Sequence, residues 1–175
     1  MKDAGTALEV TVRAERVTDY DMIRFVNEMA FGQADEARLV DALREQGHAV
    51  YSLVAEVADR VIGHLMFSRL QVESEIGALR GLALAPMAVA PEYQRMGIGS
   101  LLVERGLQHC REGGWQCIFV VGYPDYYRRF GFSTELADPF ESPYSGEAFL
   151  AMELETDTLR GRRGRVAYPD AFAGL

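Results

Sequence analysis

A mixed α/β fold is the class this sequence predicts, on three observations. Short runs with period-two alternation open the chain and recur through its first half. Between the first two of them lie segments whose apolar residues repeat at helical spacing. Past the middle, an apolar run, a glycine turn, a helical pattern and a second apolar run follow within about forty residues, which is a strand–helix–strand unit of right-handed sense.

The 175 residues are expected to form one domain, 1–175, long enough to bury a core without staples. Hydrophobic residues at 49% and charged residues at 25% describe an ordinary soluble globular chain. A formal charge of −8 argues against nucleic acid as a partner, because phosphate binding draws on clustered Lys and Arg. It favours cationic molecules such as amines. No apolar run approaches the roughly 20 residues of a membrane span, and Met1-Lys-Asp-Ala-Gly carries no signal-peptide core. Cys110 and Cys117 lack metal-ligand spacing, so reduced thiols, no metal and a cytoplasmic location are the expectations.

In chain order, Leu8, Val10, Val12 and Ala14 alternate with polar neighbours as in a half-buried strand. Thr18 is placed to cap the next helix, where Met22, Phe25, Val26 and Met29 define an inward face and Gly32 is the stop. A second helix is expected from Asp35 to Gln46, with Leu39, Val40 and Leu43 inward and Gly47 ending it. His48–Val57 and Val61–Val72 read as a hairpin joined at Ala58-Asp59-Arg60. Glu73–Arg80 reads as a loop and Gly81–Ala90 as the fourth strand. Pro86 cannot donate to a ladder, so it marks an edge or a bulge there.

Helix three should begin near Ile98, bury Ile98, Leu101, Leu102 and Gly106, and end at Gly113-Gly114. Trp115–Val121 is a continuous apolar run, as expected of a parallel strand covered on both faces. A ligand would sit outside the carboxyl ends of these strands. Pro124 opens a short helix and Gly131 closes it. Asp138–Gly146 reads as an ordered surface loop, and Glu147–Leu154 alternates and should close the sheet. The basic cluster Arg160–Arg165 reads as a solvated loop, and the aromatics of Val166–Phe172 should dock back onto the body.

The stretch Leu84–Ser100 organises the site. It delivers Gln94-x-x-Gly97-x-Gly99 onto the start of helix three. Glycines there remove the side chains that would hold a ligand off the backbone, and free N–H groups at a positive helix end suit a diphosphate. Other phosphate loops fit poorly. No Gly-Lys-Ser/Thr is present, and Leu102 stands where a dinucleotide fingerprint wants its third glycine.

Strand, Gln-x-x-Gly-x-Gly and helix together resemble the acetyl-coenzyme A (acetyl-CoA) motif of the GNAT N-acetyltransferases. The chain also resembles that family in Tyr127-Arg-Arg-Phe-Gly131-Phe132, where a tyrosine stands four residues before a Gly-Phe pair. It departs from the commonest form at Tyr123-Pro124-Asp125, where an Asn is usual, and in this it looks like a bacterial subgroup of uncharacterised acetyltransferases. The resemblance implies the acyl-CoA N-acyltransferase fold, a mostly antiparallel sheet in which the fourth and fifth strands form a parallel pair splayed for cofactor. It implies acetyl-CoA as acetyl donor, and a small-molecule or peptide amine as acceptor. Dimers are frequent in that family, so a homodimer enters as an expectation.

Under the same resemblance, Met87, Ala88 and Val89 pair their backbone with the cofactor arm. Gln94, Arg95, Met96, Gly97, Ile98, Gly99 and Ser100 form the diphosphate loop, with Tyr126 beside them. Tyr127 is implied as the general acid that protonates the departing thiolate, with Tyr126 its rival. Successive helical residues lie about 100° apart, so both cannot face the sulfur equally. An alkylamine must shed a proton before it attacks, and Glu28, Glu36, Glu56 and His64 are base candidates that the sequence does not rank. No Ser or Cys nucleophile with a paired His is visible, which favours direct attack in a ternary complex. A non-catalytic acyl-CoA sensor is the competing class. No code in the sequence names the acceptor.

Overall fold

A hairpin of β3 (Arg60–Ser74) and β4 (Gly77–Val89) is the spine of the structure, a computed structural model that describes residues 7–175. The stretch Met1-Lys-Asp-Ala-Gly lies outside the described residues. β1 (Thr11–Ala14) and β2 (Ala49–Val57) extend the sheet from one edge of β3, while β5 (Cys117–Val121) and β7 (Phe149–Glu153) extend it from β4. The strand order is β1-β2-β3-β4-β5-β7. β8 (Gly164–Ala167) pairs with the far end of β3, and the two-residue β6 (Phe140–Glu141) pairs with β8. β4–β5 and the short β6–β8 contact are parallel; the other pairings are antiparallel.

The β2–β3 turn is tight because Ala58 and Asp59 both take left-handed φ, +48° and +61°, the primed geometry that matches strand twist. Glu73–Arg80 is not the expected loop. β3 runs to Ser74 and β4 resumes at Gly77, leaving a turn of two residues. The cause is tertiary: β8 supplies ladder partners to Gln71–Ser74, so a polar stretch that shows no strand pattern alone is held extended.

α1 (Tyr20–Phe31) and α2 (Asp35–Glu45) cover one face of the sheet. Two expectations for α1 are corrected. Thr18 lies in a 3-10 turn, Val17–Asp19, and does not cap the helix. Phe25 and Met29 are about half exposed, and Ile23, Val26 and Asn27 are the buried positions. The inward stripe is thus rotated, and its polar member has a partner inside, described below. Gly32, at φ +69°, closes α1 as expected. α2 buries Leu39, Val40 and Leu43 in the apolar cluster that also holds Phe119, Phe140, Phe149 and Phe172.

α3 (Ile98–Glu112) covers the other face with Leu102, Val103, Leu107 and Cys110 buried on Leu65, Phe67, Ile118 and Val120. Leu101, expected inward, is half-buried. The helix comes so close to β3 that a Cβ on Gly106 would lie 2.5 Å from the Phe67 ring. Cys110 and Cys117 are free, and burial pushes both thiols up to about 12. β7 departs from the expected alternation: Phe149–Met152 are all buried, because α5 (Thr134–Ala137) and Phe140 cover the face that period two assigns to solvent. No described helix is long and apolar enough to cross a membrane.

Candidate active site

The parallel pairing of β4 with β5 ends at Leu84 opposite Val120, so β4 continues from Ala85 without a partner on that side. Against β3 the register slips between Leu65–Met87 and Phe67–Leu84, which places a bulge at Ala85-Pro86. The expectation from Pro86 holds as geometry. Ala90 N–H donates to the Ile62 carbonyl at 2.8 Å. Antiparallel alternation then pairs Ala88 with His64 through hydrogen bonds and turns the backbone groups of Met87 and Val89 outward, to the open side. The Gln94 side chain donates to the Val89 carbonyl at 2.9 Å, so it braces the turn as well as lining it.

This opening leads to the start of α3. Gly97 precedes the helix at φ +82°, and no side chain caps it. Leu101 N–H is the first to bond back, to the Gly97 carbonyl at 3.0 Å, which leaves the N–H groups of Ile98, Gly99 and Ser100 free. Arg129 donates to Ser100 Oγ at 3.0 Å and lies over the Tyr126 ring at 4.7 Å. A guanidinium at a positive helix end is repelled unless an anion sits between them. Two independent positive features therefore face the same place.

The resulting cleft holds about 480 Å³. Met87, Ala88, Val89, Gln94, Arg95, Gly97, Ile98, Gly99, Ser100 and Tyr126 line it, together with Ala30, Phe31, Tyr93 and Arg129. Met96 alone of the sequence-derived set lies off the wall, with its side chain in solvent. Ile98 reaches the wall while packing inward. Arg129 was missed; its one signal is the basic pair that follows Tyr127.

A second cavity of about 760 Å³ shares Phe31, Met87, Gln94, Arg95 and Tyr126 with the first and continues along β4 and β5. Tyr127 lines it, 7% exposed, on α4 (Pro124–Arg128), with Tyr126, Phe130 and Phe132 around its ring. Gly122 sets that ring's place: a Cβ there would come within 2.4 Å of it. Burial, with Tyr126 adding a smaller effect, holds the Tyr127 hydroxyl well above the ordinary phenol range, so it stays protonated.

The base candidates separate clearly. Glu36 lines the second cavity, held by Gln33 Nε2 at 3.1 and 3.2 Å. Glu28 is half-buried on α1 and lines neither space. Glu56 is paired with Arg13 at 2.7 Å, and Arg13 also binds Asp19. His64 does not face a ligand. It is fully buried, with Nδ1 3.2 Å from Asn27 Nδ2 and Nε2 2.8 Å from Ser52 Oγ, so it ties α1 to β2 and β3. The amide nitrogen of Asn27 can only donate, which assigns the acceptor role to Nδ1 and the proton to Nε2.

Burial, and secondarily the Arg44 charge, lowers the His64 pKa to about 3. The unfolded chain, near 6.5, then binds the proton that the folded chain refuses. Stability is fully present above about 6.5 and is lost as pH falls toward about 3, at up to roughly 1.4 kcal/mol per pH unit. Denaturant melts from pH 7.5 to 4.5 should show this slope, and His64→Gln should flatten it. Equal slopes would remove His64 as the cause.

A mixed sheet whose one opened parallel pair leads to an uncapped glycine turn is the scaffold of an acyl-CoA-type acyltransferase. Residues 17–132 match the family described as Acetyltransferase (GNAT) family. The chain is 39% identical over 168 residues to the uncharacterized N-acetyltransferase YjhQ of Escherichia coli K12, covering 90% of this chain and 92% of that protein. It is 33% identical to the uncharacterized N-acetyltransferase YhbS of the same strain, covering 92% and 97%. The solved E. coli YhbS in complex with CoA superposes with a TM-score of 0.87 at 31% identity, over 98% of this chain and 96% of that one. A GNAT acetyltransferase from Brucella melitensis in complex with acetyl-CoA gives 0.79 at 32%, over 94% and 98%. The chain belongs to the GNAT acetyltransferase family.

Proposed function

We propose that the protein transfers an acetyl group from acetyl-CoA to a primary amine by direct attack in a ternary complex. The observation that carries this is the continuity of two cavities, one ending at an uncapped helix and the other holding Tyr127 and Glu36. The residues fit the donor. The N–H groups of Ile98, Gly99 and Ser100 with Arg129 would hold the diphosphate, and the outward backbone of Met87 and Val89 would pair with the pantetheine amides. A Cβ at Gly99 would meet Tyr126 Oη at 3.0 Å and Met87 Sδ at 3.3 Å, so glycine keeps this cradle open.

Acetyl-CoA supplies an activated thioester. The amine nitrogen forms a bond to the acetyl carbon as the carbon–sulfur bond breaks, with the electron pair leaving on sulfur. An alkylammonium gives up two protons overall: one ends on the thiolate and one goes to solvent. Glu36 would accept the first from the incoming amine, directly or through water. Tyr127, kept protonated by burial, would give one to sulfur. A primary amine near pKa 10.4 is ionised at neutral pH, and freeing it costs about 4 kcal/mol at pH 7, the larger of the two demands.

Thiol release from acetyl-CoA, followed over a panel of amines, amino acids and peptides, tests the reading. We expect release matched one-to-one by acetylated amine, as seen by mass spectrometry. Tight binding of acetyl-CoA with no amine turned over would instead make the protein an acyl-CoA sensor.

A further inference from the structure

The geometry points to an arylalkylamine as the acceptor: one ammonium carried a short alkyl link from an aromatic ring. This rests on the acetyl-transfer reading for its chemistry and adds the substrate class. The second cavity is walled by rings: Phe31, Tyr123, Tyr144 and Tyr168 present accessible faces to it, and Phe119 and Phe172 lie behind them, almost fully buried. Phe119 and Phe172 belong to the apolar cluster that joins α2 to the sheet, and Tyr144 and Tyr168 pack against it, so this side of the cavity is anchored on the core.

One acidic and one basic side chain line this space. Arg95 is shared with the cofactor cleft, at the glycine turn, and Glu36 stands on the acceptor side. One carboxylate stabilises one ammonium. A polyamine would bring further ammonium groups to a space with no second acidic side chain, and an amino sugar would lay its hydroxyls against ring faces where only Gln94 and tyrosine hydroxyls could partner them; both lose hydration without full replacement. An aromatic ring loses water favourably on the same walls, and edge-to-face contacts add to it. The volume, about 760 Å³, is that of a small-molecule site.

The test compares 2-phenylethylamine, spermidine, glucosamine and a capped lysine peptide in the thiol-release assay, with calorimetry of each amine on CoA-loaded protein. We expect 2-phenylethylamine to exceed spermidine and glucosamine in kcat/KM by on the order of 10²-fold. Glu36→Gln should raise its KM roughly tenfold by removing the counter-charge. Binding of 2-phenylethylamine without transfer would uphold the recognition and remove the transfer reading. Transfer in which spermidine, glucosamine or the peptide equals or surpasses it would overturn the recognition while leaving transfer intact. Absence of both binding and transfer with 2-phenylethylamine would also overturn it.

Discussion

Turnover of a Tyr127→Phe protein should fall roughly 10- to 1000-fold, with affinity for acetyl-CoA little changed. The substitution keeps the ring, which is what fills the space over Gly122 and meets Phe132, and removes only the hydroxyl. No side-chain hydrogen bond to that hydroxyl is present among the described residues, so stability should change little. The size of the effect follows from two opposed facts. Burial keeps the phenol protonated, so the acid form is available throughout the accessible pH range. The same burial makes it a weaker acid than the thiol it would protonate, near 8.5, and a thiolate leaves fairly well unaided. The loss should therefore be smaller than for an essential nucleophile. Tyr127 should also contribute no descending limb to the kcat profile below about pH 10.

Tyr126 is the control. Its hydroxyl lies 3.4 Å from Ser100 Oγ and its ring carries the Arg129 guanidinium, so its removal should act on cofactor affinity. If Tyr127→Phe leaves kcat unaltered and Tyr126→Phe cripples it, the proton comes from next door. If neither changes kcat, solvent protonates the thiolate.

How far the sequence reaches depends on where the determining physics lies. The β2–β3 hairpin, α2, α3 and the opening at Pro86 are legible because their causes are local: apolar spacing, a missing donor, glycines at turns. The extension of the β3–β4 hairpin is invisible because β8, some ninety residues later, supplies its ladder partners. The inward face of α1 is misread for a related reason. Apolar spacing pointed to Phe25 and Met29, whereas the fold spends that position on Asn27, which binds a histidine on a strand distant in sequence.

In the site, the glycine turn announces itself, and so does the tyrosine ahead of Gly131-Phe132. The base candidates could not be ranked from the sequence, since Glu28, Glu36, Glu56 and His64 differ only in what surrounds them after folding. One is half-buried away from the cavities, one lines the second cavity, one is paired with Arg13, and one is sealed in the core. The walls of the second cavity draw on α1, α2, β4, β5 and the C-terminal aromatics, and no contiguous stretch encodes them.

Gly99→Val should weaken acetyl-CoA by about 100-fold or more while leaving the apo fold nearly intact. Gly99 lies in the first turn of α3 with an ordinary helical φ, so a side chain introduces no backbone strain there. Its Cβ would press on Tyr126 Oη at 3.0 Å and Met87 Cε at 3.3 Å, both ends of flexible side chains that can yield by a few tenths of an ångström. The valine methyls then stand in front of the free N–H groups. Each hydrogen bond to a charged phosphate that is blocked costs about 1.5–3 kcal/mol, and two of them account for the expected loss. Gly97 is the less clean site. At φ +82° any side chain there is strained by roughly 1–2 kcal/mol, so reduced binding would mix with a damaged helix start. Calorimetry with CoA measures the affinity, and thermal melts with and without CoA check the fold and the loss of ligand stabilisation together. An unchanged Kd in a folded Gly99→Val protein would mean that the diphosphate does not lie on this turn, and the cofactor assignment of Gln94–Ser100 would fall with it.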